Sequence, residues 1–173
     1  MTVHLLDANV FIEAKRRHYA FDICPGFWVS LDWHARDGNW CSIDHVRAEL
    51  ERGQDDLAEW AKHPARSDWF CSTNDDDVVA WYGRVMGWVQ ANTNFTSAAK
   101  YQFAQGADPW LVAFAGAKNM LLTTHEGLVP NVRNRVPIPN VCQAMGVPWT
   151  DTFDMLRSFG VQLTWSPSAP PGR

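Results

Sequence analysis

Four acidic residues, Asp7, Glu49, Asp108 and Glu126, each fall close to a point where an apolar run ends or a helix starts. Carboxylates gathered in one place cannot all stay ionised unless a cation lies among them. Oxygen donors of this kind suit Mg2+ or Mn2+. Each acid also has a plainer explanation. Asp7 is a favoured N-cap for the helix after it, and Asp108 before Pro109 is an N-cap followed by proline at the first helical position. Glu49 has Arg52 beside it for a local pair, and Glu126 reads equally as a polar loop residue.

The elements that must position these acids alternate in type. A short apolar run over residues 3–6 reads as a buried strand ending at Asp7, with a helix over 9–17 behind it. A second helical pattern covers 27–34, and a strand follows at 40–43. Ser42 or Asp44 then caps a helix in which Val46 and Leu50 share a face, ended by Arg52-Gly53. A helical piece covers 56–62, and 69–71 reads as a short strand. Asn74-Asp75-Asp76-Asp77 reads as the start of a helix bearing Val78, Trp81, Val85 and Trp88, because acids in a first turn complement the helix dipole. Helices over 98–105 and 107–117 precede the clearest later strand, 120–124. Short helices at 141–145 and 152–159 and a last strand at 161–165 complete the pattern. Strands alternating with helices imply an α/β fold with a mostly parallel sheet and helices on both faces. Helical side chains lean toward their helix N-terminus, so Glu49 reaches back toward the end of the second strand. In a parallel sheet all four acids then meet at one edge, where open α/β sheets bind ligands.

The 173 residues suit one domain, expected over 1–165, with a flexible Pro-rich tail at 166–173. Hydrophobic residues at 46% and charged residues at 20% describe a globular chain rather than a disordered one. A net charge of −4 argues against holding nucleic acid by bulk electrostatics, but not against meeting phosphates through metal ions. The four cysteines show neither a C-x-x-C pair nor zinc spacing and read as reduced thiols. No signal peptide and no membrane span are expected, which points to the cytoplasm. Ten tryptophans read either as packing or as a partner interface.

Several segments together resemble the PIN-domain family of metal-dependent ribonucleases, many of them toxins of toxin–antitoxin pairs. Leu6-Asp7-Ala8-Asn9-Val10 is similar to the family's first-strand motif, an acid followed two residues later by Asn or Ser. Val46-Arg47-Ala48-Glu49-Leu50 resembles its second motif, and Ala107-Asp108 with the small-residue helix to Ala117 resembles its third. Leu122-Thr123-Thr124-His125-Glu126 resembles the last, with Glu126 where the family pattern has Asp. The resemblance spans residues 3–148. Ile138-Pro139-Asn140-Val141-Cys142 and the long insert between the second and third acids point to a less-studied PIN-like subfamily.

The resemblance implies a PIN-like three-layer sandwich and hydrolysis of RNA phosphodiester bonds. Asp7, Glu49 and Asp108 would hold Mg2+ or Mn2+, with Glu126 as a fourth catalytic acid of uncertain role. Asn9 and Thr124 would orient Asp7, and His125 would contact substrate or relay a proton. Lys15-Arg16-Arg17-His18 either holds substrate phosphates or is a solvated basic helix end. The implied partners are an RNA substrate, an antitoxin protein and a second copy of the chain. Two other readings compete. A non-catalytic PIN-like module would bind RNA or protein without cleaving. A phosphatase with an aspartyl nucleophile would need a second acid where this chain has Asn9.

Overall fold

Three consecutive apolar or buried side chains, His4, Leu5 and Leu6, form β1 (His4–Leu6), the central strand of the computed structural model, which describes residues 2–164. β1 leads to α1 (Ala8–Glu13), α2 (Pro25–Arg36), β2 (Trp40–Ile43), α3 (Asp44–Glu51) and α4 (Asp56–Lys62). A 3-10 turn (Pro64–Trp69) then enters β3 (Phe70–Cys71). The second half holds α5 (Asp76–Ala91), α6 (Ser97–Gln105), α7 (Asp108–Lys118), β4 (Leu121–Thr123), α8 (Ile138–Met145), β5 (Trp149–Thr150) and α9 (Thr152–Ser158). All strand pairs are parallel and the order is β3-β2-β1-β4-β5. The α/β architecture, with helices on both faces of a parallel sheet, is the one the PIN-like resemblance implies. No helix among the described residues is long and apolar enough to cross a membrane.

The strand order decides where a site can form. From β1 the chain steps outward to β2 and β3, then crosses back to β4 and steps the other way to β5. Right-handed crossovers therefore put the two sets of helices on opposite faces. The connections leaving β1 and β4 part to opposite sides, opening a crevice beyond their carboxyl ends. Asp7 ends β1, and Thr124-His125-Glu126 follow β4. His4 pairs with Leu121 and Leu6 with Thr123, which fixes the register of both lips of the crevice.

Three expectations need correcting. The helix expected over 9–17 is α-helical only to Glu13, then widens into a π-helical turn over Ala14–His18. Neither Ser42 nor Asp44 caps α3, whose N-cap position is Ile43 with no side-chain cap, whereas the acid run starts α5 as expected, Asp75 accepting from the Asp77 N–H at 3.0 Å. The fifth strand is Trp149–Thr150, paired with Leu122 and Thr123, rather than 161–165. Val161 cannot begin a strand there because its N–H closes α9 onto the Leu156 carbonyl, with Gly160 at φ +69°. Residue 165 and the Pro-rich tail at 166–173 lie outside the described residues.

Helix α7 is almost apolar throughout, with Leu111, Val112, Ala113, Phe114 and Ala115 buried against β4 and α5. Gly116 is what lets α5 approach: a Cβ there would stand 2.5 Å from ring carbons of Trp81. The guanidinium of Arg84 lies 4.1 Å from the centre of that indole. Replacing a helical Gly by Ala ordinarily stabilises by about 1 kcal/mol. Overpacking costs about 1–3 kcal/mol and outweighs it here. Gly116→Ala is expected to lower the midpoint of denaturant unfolding; a raised midpoint would contradict this packing.

Candidate functional site

Asp7 extends the ladder of the central strands, its N–H donating to the Thr123 carbonyl at 3.0 Å. It stands at the N-cap position of α1 with extended backbone, yet its side chain makes no capping hydrogen bond. The capping explanation therefore fails for this residue. Its Oδ2 instead accepts from the Thr124 hydroxyl at 2.8 Å and from Asn9 Nδ2 at 3.4 Å. Thr124 and Asn9 thus stand where the resemblance puts them, beside Asp7. Only 2% of Asp7 is exposed. Burial pushes its carboxyl up to about 6, against the Thr124 hydrogen bond, and the charges of Glu126 and Glu49 push the same way.

Asp108 lies in the first turn of α7, but Ala107 holds the N-cap position and no side-chain cap is made. The N-cap expected at Asp108 is therefore not formed. Burial raises its carboxyl well above the usual carboxylate range, and Asp7, Glu126 and Glu49 raise it further. The start of α7 is held from elsewhere: Glu49, in α3, accepts the Ala107 N–H at 3.0 Å. The local pair of α3 is Arg47–Glu51 at 2.7 Å, so Glu49 is not spent on Arg52.

Glu126 also serves a backbone. Its Oε2 accepts from the Ile138 N–H at 2.8 Å, at the start of α8, and its Oε1 lies 3.8 Å from Arg135 Nη1. Thr124 ties it to Asp7, since the same hydroxyl oxygen accepts the Glu126 N–H at 3.1 Å. His125 is turned the other way. Its Nε2 lies 3.1 Å from the Thr152 hydroxyl, and burial holds its pKa below the ordinary value. Sequence reasoning missed Arg135 and the role of Asn140. The Asn140 side chain clasps the loop after Glu126, accepting from Val129 N–H at 3.1 Å and donating to its carbonyl at 2.9 Å. A loop bounded by Pro130 and Pro137 with an Asn just beyond it was the available signal.

Glu49 and Glu126 are thus near enough to raise the proton affinity of both Asp7 and Asp108. In this side-chain arrangement, however, no three His, Cys, Asp or Glu side chains among the described residues stand close enough to hold one metal ion. Glu49 and Glu126 are turned onto the N–H groups of Ala107 and Ile138 instead. As a donor set the group fits a hard divalent cation: carboxylate and hydroxyl oxygens, two of the carboxyls buried and mutually destabilised as anions. A cavity of about 250 Å³ reaches Glu49 beside Lys15, Arg16 and Arg52, and two more open on Glu126. One of about 160 Å³ is lined by Gln102, Phe103, Asp108, Glu126 and Arg135. The other, about 470 Å³, shares Glu126 and Arg135 and continues past Asn9, Arg17, His18 and His125. Of the basic run, Lys15 is engaged by Asp55 at 2.6 Å and Asp56 at 3.1 Å, whereas Arg17 and His18 reach the cavity. A cavity of about 590 Å³ beside Val29, Trp33 and Phe159 has no acid in its lining.

The raised pKa of Asp7 has a direct consequence for stability. Between pH 3.8 and about 6 the folded chain keeps a proton on Asp7 that the unfolded chain has released. That contribution is complete below this range and is lost as pH rises through it. Buried His4, whose pKa is lowered, contributes with the opposite sign, so only a difference between variants isolates Asp7. In EDTA, Asp7→Asn is expected to gain on the parent by roughly 3 kcal/mol between pH 4 and pH 7, two pKa units at about 1.4 kcal/mol each. Urea unfolding at several pH values measures this. A gap that stays flat or narrows would contradict the buried, unpaired carboxyl.

A comparison with curated proteins found no match. Among solved structures, the crystal structure of VapBC2 from Rickettsia felis bound to a DNA fragment from their promoter aligns at 15% identity and a TM-score of 0.48. The alignment covers 77% of this chain and 97% of that one. A family model described as Domain of unknown function (DUF4411) matches residues 4–163, and the chain belongs to that family.

Proposed function

We propose that the chain is a metal-dependent endoribonuclease that hydrolyses RNA phosphodiester bonds, with the toxin of a toxin–antitoxin pair as its biological setting. The observation that carries the catalytic part is Asp7. A carboxyl buried at the end of the central strand, free of any capping duty and raised further by the charges of Glu126 and Glu49, has no structural purpose that a neutral side chain would not serve better. The toxin setting, and an antitoxin as partner, rest on the resemblance of the four motifs alone.

A bound Mg2+ or Mn2+ supplies Lewis acidity toward the phosphate and a lower pKa for its coordinated water. Asp7, Asp108 and Glu49 would hold it. Thr124 and Asn9 fix the orientation of Asp7, each donating to its Oδ2. Glu49 would leave the Ala107 N–H in doing so. Glu126 is tied to Ile138 and Arg135, which suits it to orienting a water or the loop more than to direct ligation.

A second reading has one observation in its favour. Both glutamates satisfy backbone donors, and no three acids among the described residues are gathered for an ion. A PIN-like module that binds RNA or protein without cutting would need nothing more. The two readings part on a single substitution. Asp108→Asn makes no change to helix capping, so it is expected to stay folded, while removal of one charge-stabilising group costs about a hundredfold or more in rate. Cleavage of labelled RNA in Mn2+ and in EDTA, with melting temperatures alongside, gives the measurement. Metal-dependent cutting lost in a folded Asp108→Asn supports the nuclease. Cutting in EDTA, or an Asp108→Asn variant as fast as the parent, rules out this site.

A further inference from the structure

The cavity of about 470 Å³ extends well past the acids and is large enough for one nucleotide unit. Its walls change character along the way. Near the acids stands Arg135, whose side chain is 51% exposed. The same lining holds Arg17, bound at 2.8 Å by Glu13, also of the lining, but 70% exposed. Farther out the lining turns aromatic. His18 and His125 both reach the cavity, and both rings lean edge-on against Phe153, at 6.4 and 6.3 Å between centroids.

Phe153 is unusual for a phenylalanine in this chain. It sits in the first turn of α9 with 41% of its surface in solvent, although the helix buries Met155 and Leu156. Its neighbour Thr152 is fully buried and holds His125 through a 3.1 Å hydrogen bond. The ring is therefore exposed yet braced, against two imidazoles that line the cavity, while two guanidinium groups belong to the same lining. Guanidinium groups suit phosphate, through paired N–H donors, and an exposed aromatic face suits a nucleobase of any identity.

We propose that this cavity and its rim form a nucleotide subsite of the ribonuclease: Arg135 and Arg17 receive the phosphate next to the scissile one, and Phe153, outside the lining but packed on His18 and His125, stacks on its unpaired base. The inference rests on the ribonuclease reading for the position of the scissile phosphate, but the subsite makes a claim of its own about binding. Phe153 would select for a base free to leave its stack, and the arginines would act without regard to sequence. His125 then serves by bracing Phe153 rather than by moving a proton.

The test uses the full chain and a fluorescein-labelled single-stranded RNA of about ten nucleotides, alongside the same strand with its bases removed. Anisotropy titrations in EDTA read binding, and parallel incubations in Mn2+ read cleavage. The parent is expected to bind the base-bearing strand about tenfold more tightly than the abasic one, and Phe153→Ala to lose that preference. Phe153→Trp is expected to keep it, which separates loss of stacking from loss of fold. Arg135→Ala should weaken both strands alike, and Trp33→Ala, an exposed aromatic on α2 away from this cavity, should leave both unchanged. Phe153→Ala binding both strands as the parent does would overturn the subsite, whether or not the parent cleaves. A parent that shows the base preference but never cleaves would instead sink the nuclease reading and leave the subsite standing.

Discussion

One carboxyl group buried at the end of the central strand is the constraint on which the rest of this structure depends. Asp7 cannot be removed from water as an anion at low cost. Its oxygens receive a hydroxyl and a side-chain amide and no cationic side chain, so the site favours either a proton or a cation. The fold accepts that cost where the sheet offers most support. β1 is flanked on both sides by parallel strands, and the Asp7 N–H continues the ladder to β4. Thr123 and Thr124, both fully buried, complete the junction: one bonds to His4 through its hydroxyl, the other to Asp7.

The two glutamates tie this junction to the elements around it. Glu49 joins α3 to the start of α7 through the Ala107 N–H, so the helix that carries Asp108 is placed by another acid of the group. Glu126 joins the end of β4 to the start of α8, and Asn140 closes the loop between them. Helix starts leave N–H groups without internal partners, and a carboxylate is a strong acceptor for them. The same acids therefore have two uses. A carboxylate on a backbone donor steadies the fold, and the same carboxylate turned inward would become a ligand at the loss of that bond.

Much of this was legible in the sequence because it depended on short-range pattern. The run ending at Asp7, the strand after Trp40 and the strand ending before Thr124 are all apolar segments too short for helices. Their alternation with helices carried the parallel sheet. The common edge of the four acids followed from the same frame, whereas the place of Thr124 and Asn9 beside Asp7 came only from the family resemblance. What escaped was decided by long-range geometry. Nothing local distinguishes Trp149–Thr150 from a loop, since two residues gain strand character only by lying beside β4. The run after Gly160 is apolar enough for a strand, but its first N–H closes a helix. Asp108-Pro109 reads as a cap and is not one, because the helix starts one residue earlier, the Leu111 N–H donating to the Ala107 carbonyl at 2.9 Å. The sequence does not say whether the acids face one another or face backbone donors.

That last alternative can be settled by anomalous diffraction from crystals soaked in Mn2+. One strong peak is expected, bounded by Asp7 and Asp108, with Glu49 rotated off the Ala107 N–H to reach it. Crystals that show no peak there, with Glu49 still accepting from Ala107 at saturating Mn2+, would contradict a metal-dependent site at these carboxylates.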